Sequence, residues 1–151
     1  MISNRTAANV YHSPSQIRIL LADDYSAWRL WVRNLFRLRS DWQVVGEACD
    51  GLQAVTRAAE LLPDIVLLDV AMPVLNGIEA AKRIRQATPS ARIIFLTQNT
   101  NSDVVNEALA TGARGYLVKV NAVHELIPMI EHAMCNGYAG ELANLAVASP
   151  E

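Results

Sequence analysis

The sequence predicts an α/β protein, a doubly wound five-stranded parallel sheet with helices on both faces. Two observations carry this. Short apolar runs alternate with longer segments of helical periodicity along the chain, the pattern of consecutive βα units. The short runs are continuously apolar, as strands covered on both faces must be. The bulk numbers agree. A chain of 151 residues suits one domain, and 52% hydrophobic against 19% charged residues is the balance of a chain that folds.

The elements follow in order. "IRILLA" (17–22) is the first strand and "SAWRLWVRNLFRLR" (26–39) the first helix. Within that helix Trp28, Val32, Leu35 and Phe36 recur at the spacing of a core face. Arg29, Arg33 and Arg37 form a basic stripe, read as a solvated face. Leu30 and Trp31 are apolar residues left without a core position. "QVVGEA" (43–48) and "GLQAVTRAAELL" (51–62) make the second unit. "DIVLLDV" (64–70) leads through the Pro/Gly-bounded loop "AMPVLNG" into the helix "IEAAKRIRQAT". "RIIFLT" (92–97) precedes "SDVVNEALATG", with Ser102 or Asp103 as N-cap and Gly112 as the stop. "GYLVK" (115–119) is the last strand and "AVHELIPMIEHAMCNG" the last helix. Residues 1–16 read as a flexible polar leader, 17–137 as the folded domain and 138–151 as a tail or linker remnant.

Several function classes lose support at this level. A net charge of −2 and a pI near 5.9 give no bulk attraction to nucleic acid or anionic lipid. No apolar run approaches the roughly 20 residues of a membrane helix, and the leader lacks the apolar stretch of a secretory signal. Cys49 and Cys135 stand far apart and outside any metal pattern, which suits reduced thiols in a cytosolic protein. His124 and His132 on the last helix lack metal spacing and read as surface or packing residues.

In a parallel sheet, ligands bind beyond the carboxyl ends of the strands. The first strand ends in Asp23-Asp24, the third in Asp69, the fourth in Thr97 and the fifth in Lys119. Singly, each has an ordinary reading as a turn, cap or solvated residue. Together they place three carboxylates, a hydroxyl and an ammonium at one edge of an apolar sheet. That set suits phosphoryl transfer to a carboxylate. A hard cation such as Mg²⁺ takes carboxylate oxygens, and an aspartate can act as nucleophile. Lysine and hydroxyl would then contact the phosphoryl oxygens.

The motifs "LLADD", "PDIVLLDVAMPVLNG", "IIFLT" and "ALATGARGYLVK", in this order and spacing, resemble the receiver domain of bacterial two-component response regulators. The resemblance covers Ile17 to Gly137 and implies the CheY-like strand order 2-1-3-4-5. It implies Asp69 as phosphoacceptor, and a Mg²⁺ site made of Asp24, Asp23 through water, Asp69 itself and the Ala71 backbone carbonyl. Thr97 and Lys119 would contact the phosphoryl group, and Thr97 with Tyr116 would form the switch pair. The implied partner is a histidine kinase or phosphotransferase, with Leu30 and Trp31 as docking candidates on the first helix. The fourth helix, fifth strand and fifth helix (about Ser102–Thr111 and Gly115–Gly137) would form the output or homodimer surface. The only enzymatic steps implied are self-phosphorylation and self-dephosphorylation, in the cytoplasm.

"VVGEACDG" and "EHAMCNGYAG" are most similar to nitrate- and nitrogen-fixation-type regulators, which usually continue into a helix-turn-helix domain. Residues 138–151 are too few for such a domain, so the sequence reads as a stand-alone receiver or as one excised from a transcription factor. Three positions depart from the family pattern. Ala71 carries no polar side chain, Gln98 replaces a small residue and is followed by Asn99, and Val120 follows Lys119 where proline is common. The first two point to an altered phosphoryl lifetime, and Val120 to a trans peptide bond. Two other readings fail on named residues. A haloacid-dehalogenase-type phosphatase needs an acid at position 71. A dinucleotide-binding fold needs a Gly-rich turn where this chain has "ADDYSA".

Overall fold

The computed structural model describes residues 16–98 and 100–135. Strands β1 (Ile17–Ala22), β2 (Trp42–Ala48), β3 (Ile65–Leu68), β4 (Arg92–Thr97) and β5 (Gly115–Val118) form one sheet. Helices α1 (Ser26–Phe36), α2 (Gly51–Leu61), α3 (Gly77–Ala87), α4 (Ser102–Leu109) and α5 (Ala122–Met134) alternate with them. The strand order is β2-β1-β3-β4-β5, all parallel, the doubly wound arrangement expected. A register shift between Ile19 and Leu20 leaves Val45 of β2 unmatched.

Alternation along the strands divides the core into two layers. Leu20, Val66, Leu68, Phe95 and Tyr116 face α2 and α3 through Ala54, Ala58, Ala81 and Ile84. Ile19, Leu21, Leu67, Leu96 and Leu117 face the other way, onto Val32 and Phe36 of α1 and Leu126, Met129 and Ile130 of α5. The alanines of α2 and α3 let those helices approach the sheet closely. Trp28 and Leu35 are half-buried at the margin of the second layer, whereas Val32 and Phe36 are fully inside it.

Several boundaries differ from the sequence reading. Helix α1 stops at Phe36, because Arg37 to Ser40 turn toward β2 and Arg39 packs over the Trp42 ring at 4.3 Å. Strand β3 is shorter than 64–70; Asp64 and Asp69 flank it and each still donates an amide to β1, to the Arg18 and Ala22 carbonyls. The N-cap of α4 is Asn101, not Ser102 or Asp103. Its carboxamide oxygen accepts from the amides of Asp103 and Val104, satisfying donors that a helix start leaves free. Gly112 stands at φ 93 as the turn after α4 requires. The basic stripe of α1 is not simply solvated. Arg29 and Arg33 both bind Glu47 of β2, at 2.7 and 3.0 Å. Cys49 and Cys135 are free and exposed. No helix of the described residues is long and apolar enough to cross a membrane. The leader through residue 15, Asn99 and the tail from residue 136 lie outside the described residues.

Candidate functional site

Parallel pairing brings the strand ends to one edge. The Asp69 amide donates to the Ala22 carbonyl at 3.0 Å, which sets Asp69 beside the residue preceding Asp23. Thr97 pairs with Val118, so Lys119 emerges next to them. Asp23, Asp69 and Thr97 are buried, and Asp24 is exposed. Each of Asp23, Asp24 and Asp69 offers a carboxylate oxygen, all within 4.8 Å of one another. These residues line an open crevice with Tyr25, Ala71, Thr97, Gln98 and Lys119.

Lys119 begins a 3₁₀ turn (Lys119–Asn121) rather than ending β5. Its ammonium lies 2.6 Å from Asp23 Oδ2 and 3.4 Å from Asp69 Oδ2. No cis peptide bond occurs among the described residues, so the bond before Val120 is trans, as expected, and Lys119 still reaches both carboxylates. The Tyr25 amide donates to Asp23 Oδ1 at 2.9 Å. The Ala71 amide is 3.4 Å from Asp69 Oδ1, a long contact that leaves this oxygen weakly held. The Arg29 guanidinium donates to the Asp23 carbonyl from the side.

The start of α3 approaches the backbone of the phosphoacceptor candidate closely. A Cβ on Gly77 would lie 1.9 Å from the Asp69 carbonyl oxygen, so α3 can begin there only with glycine. Asn76 caps that helix by accepting from the Glu79 amide.

Burial pushes the Asp69 carboxyl above its ordinary value, and the neighbouring Asp23 charge adds to the rise. Lys119 and the Ala71 amide oppose it. Three clustered carboxylates facing one ammonium leave excess negative charge in a largely buried place. Hard oxygen donors with uncompensated charge fit a small divalent cation. Asp23, Asp24 and Asp69 are the side chains that would hold it.

Tyr116 is buried, tilted against Phe95 at 6.2 Å, and its hydroxyl is hydrogen-bonded with Thr97. Burial raises its phenol to about 12. Leu30 and Trp31 are 49% and 36% exposed on α1, outside the crevice lining. Gln98 is exposed at the rim. The sequence reading missed Tyr25, Arg29, Gly77 and Trp28, whose ring lies 5.0 Å from the Lys119 ammonium, as neighbours of the site. Only Gly77 left a signal, the Asn-Gly step before a helix.

The pattern described for the response regulator receiver domain matches residues 19–131. The chain belongs to that family. Among relatives, the nitrate/nitrite response regulator NarL of Escherichia coli is 36% identical over 132 residues, 87% of this chain and 59% of that protein. The chemotaxis protein CheY of Listeria monocytogenes is 34% identical, covering 78% of this chain and 98% of that one. A LuxR-family two-component response regulator from Aurantimonas superposes with a TM-score of 0.80 at 34% identity, covering 90% of this chain and 98% of that one. The chain spans about half the length of the transcriptional regulators it matches. As a receiver it is a signalling domain of two-component systems rather than a classical enzyme, which sets aside the phosphatase and dinucleotide readings.

Proposed function

We propose that this receiver is a phosphorylation-dependent switch with Asp69 as acceptor and Mg²⁺ as cofactor. The observation that carries it is the buried Asp23–Lys119–Asp69 cluster at the strand ends, with Asp24 beside it. A carboxylate oxygen of Asp69 attacks the phosphorus of a phosphohistidine on a histidine kinase or phosphotransferase. The new O–P bond forms as the N–P bond breaks, and the imidazole leaves with the electron pair and takes up a proton. Asp23, Asp24, Asp69 and the Ala71 carbonyl would hold the cation, which would supply charge neutralisation for the phosphoryl oxygens. Lys119 and Thr97 donate to the same oxygens.

Switching follows from the Thr97–Tyr116 pair. A phosphoryl group on Asp69 adds charge and acceptor oxygens. Turning the Thr97 hydroxyl toward them releases its bond with Tyr116 and biases the surface of α4, β5 and α5. That surface would carry a second copy or an output partner. A second reading, a receiver feeding a DNA-binding domain of a transcriptional regulator, is favoured by the half-length coverage of such relatives. Leu30 and Trp31 supply apolar contact for the kinase side. A cytoplasmic location suits such a donor.

Mass spectrometry after incubation with acetyl phosphate tests the core of this. A Mg²⁺-dependent gain of one acid-stable, base-labile phosphoryl group, absent in Asp69→Asn, is expected. No gain in the wild type would overturn it. Gln98→Ala is expected to change the lifetime of that group, because the long amide stands at the crevice rim and Ala71 offers no polar side chain to the hydrolytic water.

A further inference from the structure

We propose that Trp28 is a positioning residue for Lys119, and that its stack on Trp31 ties the exposed face of α1 to the state of the crevice. This rests on the phosphoryl-transfer reading above. The Lys119 ammonium lies 5.0 Å from the centroid of the Trp28 ring. The Trp28 and Trp31 rings stack with centroids 4.9 Å apart and planes 23° from parallel. The Lys119 side chain is only 10% exposed, so little water competes for its charge.

An ammonium has three N–H donors and no acceptor. Here the two carboxylates of Asp23 and Asp69 face it on one side, and the negative face of an indole lies on another. The ion pair with Asp23 is short and directional. The attraction of the ring is broad, so Lys119 can move between Asp23 and an oxygen on Asp69 while keeping it. An aliphatic side chain would fill the same space at the margin of the core and would not hold the ammonium. Residues 28 and 31 are neighbours on one helix face, so a shift of the first ring must move the stacked second. Trp31 is the exposed member of the pair, and Leu30 is exposed beside it in sequence.

Two measurements on the full chain test this. The first needs no phosphodonor. Lys119→Met is expected to change tryptophan emission in the wild type and to leave it unchanged in a Trp28→Phe/Trp31→Phe background, where the buried Trp42 remains. Equal emission with and without Lys119 in the wild type would overturn the contact. The second is the rate of Asp69 phosphorylation by acetyl phosphate at saturating Mg²⁺. Trp28→Leu should lower it roughly three- to tenfold while the Mg²⁺ concentration for half-maximal rate stays unchanged. Trp28→Phe, which keeps an aromatic face, should restore most of the rate. Rates that are equal for Leu and Phe would mean a space-filling role only and would overturn the positioning role. If Trp28→Leu is too unstable to assay, Trp28→Met takes its place in the same comparison. A wild type that accepts no phosphoryl group would sink the phosphoryl-transfer reading itself, and the emission comparison would still decide the contact.

Discussion

Lys119 is held more closely by Asp23 than by Asp69, at 2.6 Å against 3.4 Å. The ammonium therefore occupies the carboxylate that a divalent cation would need, and the two compete for it. Removing the ammonium removes both a competitor and a repelling charge. Lys119→Met should bind Mg²⁺ roughly tenfold more tightly while losing phosphoryl uptake. Isothermal titration with Mg²⁺ measures the first and acetyl phosphate the second. Cation binding that is weaker in the variant would contradict the competition.

Asp69 gives a pH-dependent stability. Its carboxyl is raised in the folded state, by burial first and by Asp23 second. The folded state then holds the proton more tightly than the unfolded chain. Stability falls as pH rises from the ordinary value of 3.8 through the raised one, and stays lowered above it. Asp69→Asn removes that penalty. In chelator at neutral pH it should melt about 2–5 °C higher than wild type, with the gain shrinking as pH falls through the raised value and absent below the ordinary one. A calorimetric series across pH checks it, and a variant that melts lower at pH 7 would refute the sign.

Gly77 is expected to tolerate no side chain. The Cβ of Gly77→Ala would meet the Asp69 carbonyl oxygen and the Val70 Cα, both backbone atoms. Either α3 or the loop carrying Asp69 must shift, at a cost of about 2–4 kcal/mol. Urea unfolding should show that loss, and any folded fraction should accept phosphoryl more slowly. Wild-type stability would show that the loop yields freely.

Val74 is a β-branched residue at φ 71 and 76% exposed, five residues beyond Asp69. Its left-handed backbone is strained, and its side chain is largely exposed. Val74→Gly should stabilise the protein by about 1 kcal/mol, the relief of strain less the added freedom of the unfolded chain. A lower urea midpoint in the variant would count against strain at this position.

The strands, the helices and the polar residues that close four of the five strands were legible in the sequence, because those signals are local. Continuous apolar runs mark strands buried on both faces, and a charge that ends such a run stands out against it. Asp23, Asp24, Asp69, Thr97 and Lys119 were legible for that reason. Tertiary structure alone decided what those residues touch. Arg29 looked like one step of a solvated stripe until β2 brought Glu47 to it. Trp28 looked like a core residue until β5 delivered Lys119 to its face. Asn101 won the cap from Ser102 and Asp103, because its oxygen reaches two amides. Contacts between elements far apart in the chain depend on distance and direction in space, and no spacing along a single segment encodes either.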